Sequence, residues 1–290
     1  MKIFYKNILE PLKAYWLFLI PHYMFSRITY IITRTKNPFV PFLIKLYVKL
    51  FKVNMKECIL ESPNDYSTFC EFFTRKLKSG IHKIDNTENS VVSSCDGKIT
   101  QFGKIEDDSI LQVKGKQIKL DDLLSNDRKL KQEYTSGSFL TIYLSPKDYH
   151  RVHIPLPGKL MKTTHVPGRL FSVADHAVNQ IRNLYARNER LICNFKDGDS
   201  LFSVIFVAAI NVSSIEVQWK GEASPPYPKK TISTNYSKKR IHFEKGDEFG
   251  MFKSGSTVII LFDQSVKLSS KLKKGQKIRV GNKIGLCDKS

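Results

Sequence analysis

The sequence has no apolar run near its start long enough to cross a bilayer. In residues 1–52 the longest uncharged stretch is Ala14–Ser26, 13 residues that include Pro21 and His22, whereas a spanning helix needs roughly 20 apolar residues. The same region makes a poor signal peptide, because it lacks a compact basic-then-apolar order and a small-residue cleavage site. Cysteine is sparse: five residues (58, 70, 95, 193 and 287), widely spaced and without a CxxC pair. That pattern argues against a disulfide framework and against a zinc site, so a reducing compartment and no metal are expected. Acids are outnumbered, 27 against 47 Lys and Arg, for a formal charge of +20. Such a charge calls for a polyanionic partner. No helix-turn-helix, zinc-finger or RNP-like pattern accompanies it, so no nucleic acid is expected and an anionic lipid surface is preferred.

The N-terminus supports that preference. Residues 1–52 hold nine Lys and Arg against one acid, Glu10. Prolines at 11, 21, 38 and 41 cut the region into short helices. In the last of these, Lys45, Lys49 and Lys52 share one face while Phe42, Leu43, Leu46, Tyr47 and Leu50 cover the other. A basic amphipathic helix of this kind lies in a membrane interface, where each lysine adds about 1 kcal/mol near an anionic leaflet. The competing reading packs the apolar face on the protein's own core. Residues 63–78 predict a further helix, capped near Asn64 or Asp65 and packing Tyr66, Phe69, Phe72 and Phe73. From Val91 onward short β-rich runs broken by Gly, Asn and Asp take over, interrupted by helices near 120–124 and 177–184. The expected fold class is α+β: short amphipathic helices followed by a β-rich, mostly antiparallel domain. No solenoid-type repeat is visible.

Chemistry is concentrated in two stretches. Ser254-Gly255-Ser256-Thr257 stands directly ahead of the apolar run Val258–Phe262, a turn feeding a buried strand. Glycine at 255 leaves the carbonyl before Ser256 open to close approach. A hydroxyl one bond from that carbonyl can attack it, exchanging the amide for an ester. Loss of the Ser256 α-proton then eliminates the ester, and hydrolysis of the resulting enamine leaves a pyruvoyl group. The bland alternative is a turn and nothing more. The second stretch is Tyr149-His150-Arg151-Val152-His153. Histidine is the side chain best suited to move protons near neutral pH. Strand periodicity would aim His150 and His153 to different faces unless the turn at Pro146 reorients them.

These stretches, with Asp96-Gly97-Lys98-Ile99, the longer run Tyr143–Pro155, Val166–Val173, Ala186–Arg190 and Gly255-Ser256-Thr257, resemble the phosphatidylserine decarboxylases in content and order. The resemblance covers roughly residues 45–265. Bacterial members usually carry leucine where this chain has Ser254, and the scissile pair is intact, so cleavage is expected while its rate is open. The resemblance implies a self-processing triad of Asp96, His153 and Ser256, with His150 as the proton donor in decarboxylation. It implies a covalent pyruvoyl cofactor made from Ser256, which forms a Schiff base with the substrate amine. Phe171 and Arg169 are the substrate-contact candidates, with Arg187 a further basic one. His22, His82, His165, His176 and His242 are read as structural or surface residues.

Residues 1–59 are accordingly expected to associate with membrane, residues 60–255 to form the larger part of the catalytic domain, and residues 256–290 to complete it after cleavage. The two resulting chains would stay together as a heterodimer, with a further pairing of heterodimers left open. The leading expectation is a decarboxylase converting phosphatidylserine to phosphatidylethanolamine, peripheral on the cytoplasmic side of the cell membrane. The alternatives are a soluble pyruvoyl-dependent amino-acid decarboxylase and an uncleaved lipid- or nucleic-acid-binding homologue. A Ser-His-Asp hydrolase ranks last, since Gly-Ser-Thr is no G-x-S-x-G elbow.

Overall fold

The computed structural model describes residues 21–210, 214–253 and 256–288. Ser254 and Gly255, and with them the scissile carbonyl, lie outside the described residues, as do residues 1–20. Helix α1 (His22–Arg34) and helix α2 (Val40–Phe51) are separated by the break at Pro38. Pro41 sits in the first turn of α2, where its missing N–H costs nothing, and Lys52 ends the helix in the left-handed region with φ of 57°.

The single helix expected over 63–78 divides. Ser62 and Asp65 close a capping box around a short 3-10 turn, Pro63–Asp65. Thr68 then caps a separate helix α3 (Phe69–Phe73), its side chain accepting from Glu71 N at 3.1 Å. Two side-chain caps this close together satisfy the backbone locally and prevent one continuous helix. The helix expected over 177–184 likewise becomes Asp175–Gln180 and Leu184–Arg187, parted by Asn183 at φ 55°.

The β-rich domain is built on a nine-stranded sheet. Eight strands run across it in the order Ile232–Asn235, Gly158–Val166, Arg190–Asp197, Ser200–Val207, Ser256–Phe262, Ser138–Leu144, Gly97–Lys104 and Lys277–Ile278. His242–Phe243 also pairs with Gly158–Val166. Every strand pairing in this sheet is antiparallel, as the α+β reading expects. The strand Ser256–Phe262 lies in the middle, bonded to Ser138–Leu144 on one side and Ser200–Val207 on the other. All seven of its residues are buried. An uninterrupted β-branched run is what a strand covered on both faces requires.

A second, four-stranded sheet positions the chemistry. It joins Gly221–Ser224, Ile215–Val217, Glu248–Phe252 and Arg151–His153 in that order. Its strand Glu248–Phe252 leads through Lys253–Gly255 into the central strand. The two chemical stretches of the sequence are therefore neighbours in space.

Candidate active site

Ser256 opens the central strand opposite Leu144 and is fully buried. Its Oγ has no hydrogen-bond partner among the described residues. A buried hydroxyl with nothing to bond costs stability. That cost is understandable if the hydroxyl is kept available for reaction. Phe252 N donates to His150 O at 2.9 Å, so only Lys253–Gly255 separate Ser256 from a residue bonded to His150.

His150 lies in the loop between strands. Asp148 Oδ2 closes that loop by accepting from Ser145 N at 2.7 Å and Ser145 Oγ at 2.6 Å. Arg75, almost fully buried, donates from Nη2 to Lys147 O at 2.6 Å and Asp148 O at 3.1 Å. The His150 ring packs on Phe73 with centroids 4.2 Å apart, and its Nδ1 lies 2.8 Å from Asp148 O. A carbonyl only accepts, so Nδ1 carries the proton and Nε2 keeps the lone pair. That Nε2 is buried and without a hydrogen-bond partner among the described residues. Burial, reinforced by the Arg75 charge, pushes His150 down to about 3. The ring is therefore neutral at pH 7, and before it can donate from Nε2 it must first collect a proton there.

This shift sets a stability slope. As pH falls from 6.5 toward 3, the unfolded chain protonates His150 while the folded chain does not, so stability falls with pH in that window. One such group contributes at most about 1.4 kcal/mol per pH unit. Denaturant midpoints measured across the window should show this slope, and His150→Ala should flatten it; an unchanged slope would remove the buried neutral imidazole.

His153 is held differently. Its Nδ1 lies 2.8 Å from Gly246 O, and its Nε2 is 3.1 Å from Tyr149 Oη. Again the carbonyl fixes the proton on Nδ1, leaving Nε2 as the acceptor for the Tyr149 hydroxyl. Gly246 presents that carbonyl from a left-handed turn at φ 89° that a side chain would strain. Burial lowers the His153 pKa, opposed by the Gly246 hydrogen bond and by the charges of Glu248 and Asp96. Its backbone N donates to Ser94 O at 2.7 Å, which brings the Ser94–Asp96 segment alongside.

Asp96 reaches the cluster from the residue just ahead of the strand Gly97–Lys104. Gly97 allows this, since a Cβ there would lie 2.4 Å from Tyr143 O. The Asp96 Oδ1 accepts from Val280 N at 2.8 Å and lies 2.9 Å from His82 Nε2; Oδ2 is 3.6 Å from Arg279 Nε. The His82 contact is at ion-pair distance without hydrogen-bond alignment. His82 was read from the sequence as structural or surface. Its side chain is only 12% exposed and faces Asp96.

A cleft of about 400 Å³ opens beside Lys253. Lys253, Tyr143, Phe73 and Val173 contribute to its wall on the domain side, and Thr33 and Tyr47 on the helical side. Lys253 binds Glu216 at 2.5 Å and Glu222 at 2.8 Å; Glu222 in turn receives Arg34 at 2.7 Å and Tyr30 at 3.0 Å. Burial opposes ionisation of Glu222, but Lys253 and Arg34 together outweigh it and hold the carboxyl at about 2. Helix α1 is thus tied by ion pairs to a residue two positions before Gly255.

Of the substrate-contact candidates, Phe171 is fully buried, with the Arg187 guanidinium 5.4 Å from its ring centroid. It does not line this cleft; its neighbours Ser172 and Val173 do. Arg169 is exposed, and its backbone is bonded to Arg187 and Glu189. Tyr149, Gly246, Arg75 and Lys253 are the residues the sequence did not single out individually. The first lay within the quoted His cluster; the others give no local signal. Among the described residues no group of three or more His, Cys, Asp or Glu is gathered to hold a metal ion.

The architecture is that of an α+β protein in which a buried serine opens the central strand of an antiparallel sheet and two histidines held neutral by burial lie on and beside the strand Arg151–His153. The family model for phosphatidylserine decarboxylase matches residues 69–286. Among curated proteins, the phosphatidylserine decarboxylase proenzyme of Methylococcus capsulatus is 39% identical over 272 residues, covering 93% of this chain and 94% of the relative. That of Alcanivorax borkumensis is 40% identical, covering 92% and 93%. The proenzyme of Alkalilimnicola ehrlichii is 43% identical over 255 residues, covering 87% and 88%. The chain belongs to the phosphatidylserine decarboxylase family.

Proposed function

We propose that this chain is a self-maturing, pyruvoyl-dependent decarboxylase that converts phosphatidylserine to phosphatidylethanolamine and CO₂ at a membrane surface. The observation that carries the reading is the buried Ser256 Oγ at the head of the central strand, without a hydrogen-bond partner among the described residues and next in sequence to Gly255. In maturation, Ser256 Oγ attacks the Gly255 carbonyl carbon and the Gly255–Ser256 amide bond breaks, leaving an ester. His153 takes the hydroxyl proton through Nε2, with Asp96 stabilising the charge. Removal of the Ser256 α-proton breaks the Cβ–O bond and frees Gly255 as a carboxylate; water then replaces the nitrogen, which leaves as ammonia. The buried unpaired oxygen fits this origin of the cofactor. Once formed, the pyruvoyl group supplies an electrophilic carbonyl and an electron sink for the breaking C–C bond. His150 Nε2, free to receive a proton, is the group that returns one to the product carbon.

The fold supports the two chains' remaining together. The strand that begins at Ser256 is hydrogen-bonded on both sides to strands from the other fragment. That break sets the boundary between residues 60–255 and 256–290, while residues 1–59 are assigned to the membrane-associating region.

Membrane attachment is supported by α1 and α2. Among the described residues, eleven of the fourteen large exposed hydrophobic residues lie between Tyr23 and Leu50. Ile31, Phe39, Phe42 and Leu50 are each more than 60% exposed. Of the apolar face expected for α2, Tyr47 alone turns aside to pack on Phe51 and Phe69, while Val40 and Ile44 anchor the helix inward. What remains outward, with Lys45, Lys49 and Lys52 beside it, suits the anionic cytoplasmic leaflet. No helix among the described residues is long and apolar enough to cross a membrane.

Sedimentation with phosphatidylserine-containing vesicles tests this attachment. A Phe42→Glu, Leu46→Glu, Leu50→Glu variant should partition at least about tenfold less, and raising salt should weaken the unmodified protein's binding. Equal partitioning of the variant would exclude α2 as the docking element. CO₂ release from phosphatidylserine vesicles but not from free serine separates this substrate from a soluble amino acid.

A further inference from the structure

We propose that His82 is a positioning residue of the self-processing site, holding the Asp96 carboxylate and, through Tyr149, the ring of His153. In a triad the carboxylate normally receives Nδ1–H of the histidine and sets its tautomer. Here that place is taken by Gly246 O, 2.8 Å from His153 Nδ1. Asp96 instead spends its oxygens on Val280 N, His82 Nε2 and Arg279 Nε. Arg279 is itself anchored by Glu57. His82 is thus the histidine that meets the Asp96 carboxylate among the described residues.

His82 also touches the other half of the site. Its ring lies 4.9 Å from that of Tyr149 and 6.2 Å from that of His153, centroid to centroid. Tyr149 is buried and has its hydroxyl on His153 Nε2, the nitrogen that would receive the serine proton. His82 thus contacts both the carboxylate and the aromatic ring whose hydroxyl occupies the base. Loss of its ring nitrogen frees one side of Asp96; loss of its bulk frees Tyr149. His82 acts through its contacts with Asp96 and Tyr149, and Tyr149 in turn through His153.

This inference rests on the proposed self-processing, and the test keeps the two apart. The full chain is made by cell-free translation, and the fraction cleaved is followed with time on denaturing gels. His82→Phe keeps a ring against Tyr149 but removes the Nε2 contact to Asp96; it should slow cleavage about tenfold, the rate equivalent of about 1.4 kcal/mol. His82→Gln places an amide nitrogen near the same point and should recover most of the rate. Recovery by glutamine would not follow if His82 only filled space. Wild-type cleavage in His82→Phe, with Asp96→Ala blocked, would overturn the role of His82 and leave the maturation reading intact. Failure of glutamine to restore the rate, in a variant melting at the wild-type temperature, would overturn it equally. Wild-type cleavage in Asp96→Ala would remove the Asp96 role itself, and this inference with it.

Discussion

Ser256→Ala should remain a single 33.4 kDa chain on a denaturing gel, where the unmodified protein should resolve into two, and its decarboxylase activity should fall to background. The substitution removes one oxygen from a site where that atom is buried and bonds nothing among the described residues. It therefore deletes the nucleophile without stranding a partner, and the fold should tolerate it. The expected thermal midpoint is equal to or slightly above that of the wild type, because an unsatisfied buried hydroxyl costs roughly 1–3 kcal/mol. Complete loss of cleavage with retained stability separates a chemical role from a structural one. A variant that still divides at 255/256 would show that the hydroxyl is not the attacking group.

His153→Ala is the second large effect. General-base catalysis contributes roughly 100- to 10 000-fold, so over an interval in which the proposed cleavage of the wild type goes to completion, that of His153→Ala should be barely detectable. The neighbouring histidine cannot take over. His150 is tied to Asp148 O, packs on Phe73 and is pushed down to about 3 by burial and Arg75, whereas His153 is tied to Gly246 O and faces Tyr149 and His82. His150→Ala should consequently still cleave, with its loss appearing in turnover of lipid. Full cleavage in His153→Ala would assign the base elsewhere.

The different surroundings of these two histidines also show what the sequence could and could not reveal. The run Val258–Phe262 reads as a buried strand because its β-branched residues leave no polar face, and so it is. Period-2 spacing was a poorer guide to His150 and His153, because the strand Ser138–Leu144 stops at the Ser145–Asp148 turn and a new strand starts only at Arg151. Only His153 is a strand residue at all. The helix expected over 63–78 failed for a local reason visible in hindsight, since Ser62 and Thr68 each cap a separate turn. Its second half, α3, nonetheless delivers Phe73 to His150.

Contacts between segments distant in sequence were beyond reach. His82 meets Asp96 because Val92 N bonds to Pro155 O, Ser93 N to Asn282 O and Asp85 N to Gly281 O, folding the 82–96 stretch against two separate parts of the chain. Nothing near His82 announces this. Nor does the sequence around Lys253 show that it bridges Glu216 and Glu222, and through Glu222 reaches Arg34 on α1. That link joins α1, proposed to sit on the membrane, to the residue two positions before the proposed break. In α2, helical periodicity found the amphipathic pattern but assigned Tyr47 to the outward face; its hydroxyl donates to Pro146 O at 2.9 Å, drawing it inward.

The most direct measurement is the intact mass of the purified protein. The account predicts two polypeptides, residues 1–255 ending in a free glycine carboxylate and residues 256–290 lighter by one ammonia than simple hydrolysis would leave them. An active preparation with one mass for all 290 residues, Gly255 still joined to an unaltered serine, would contradict it.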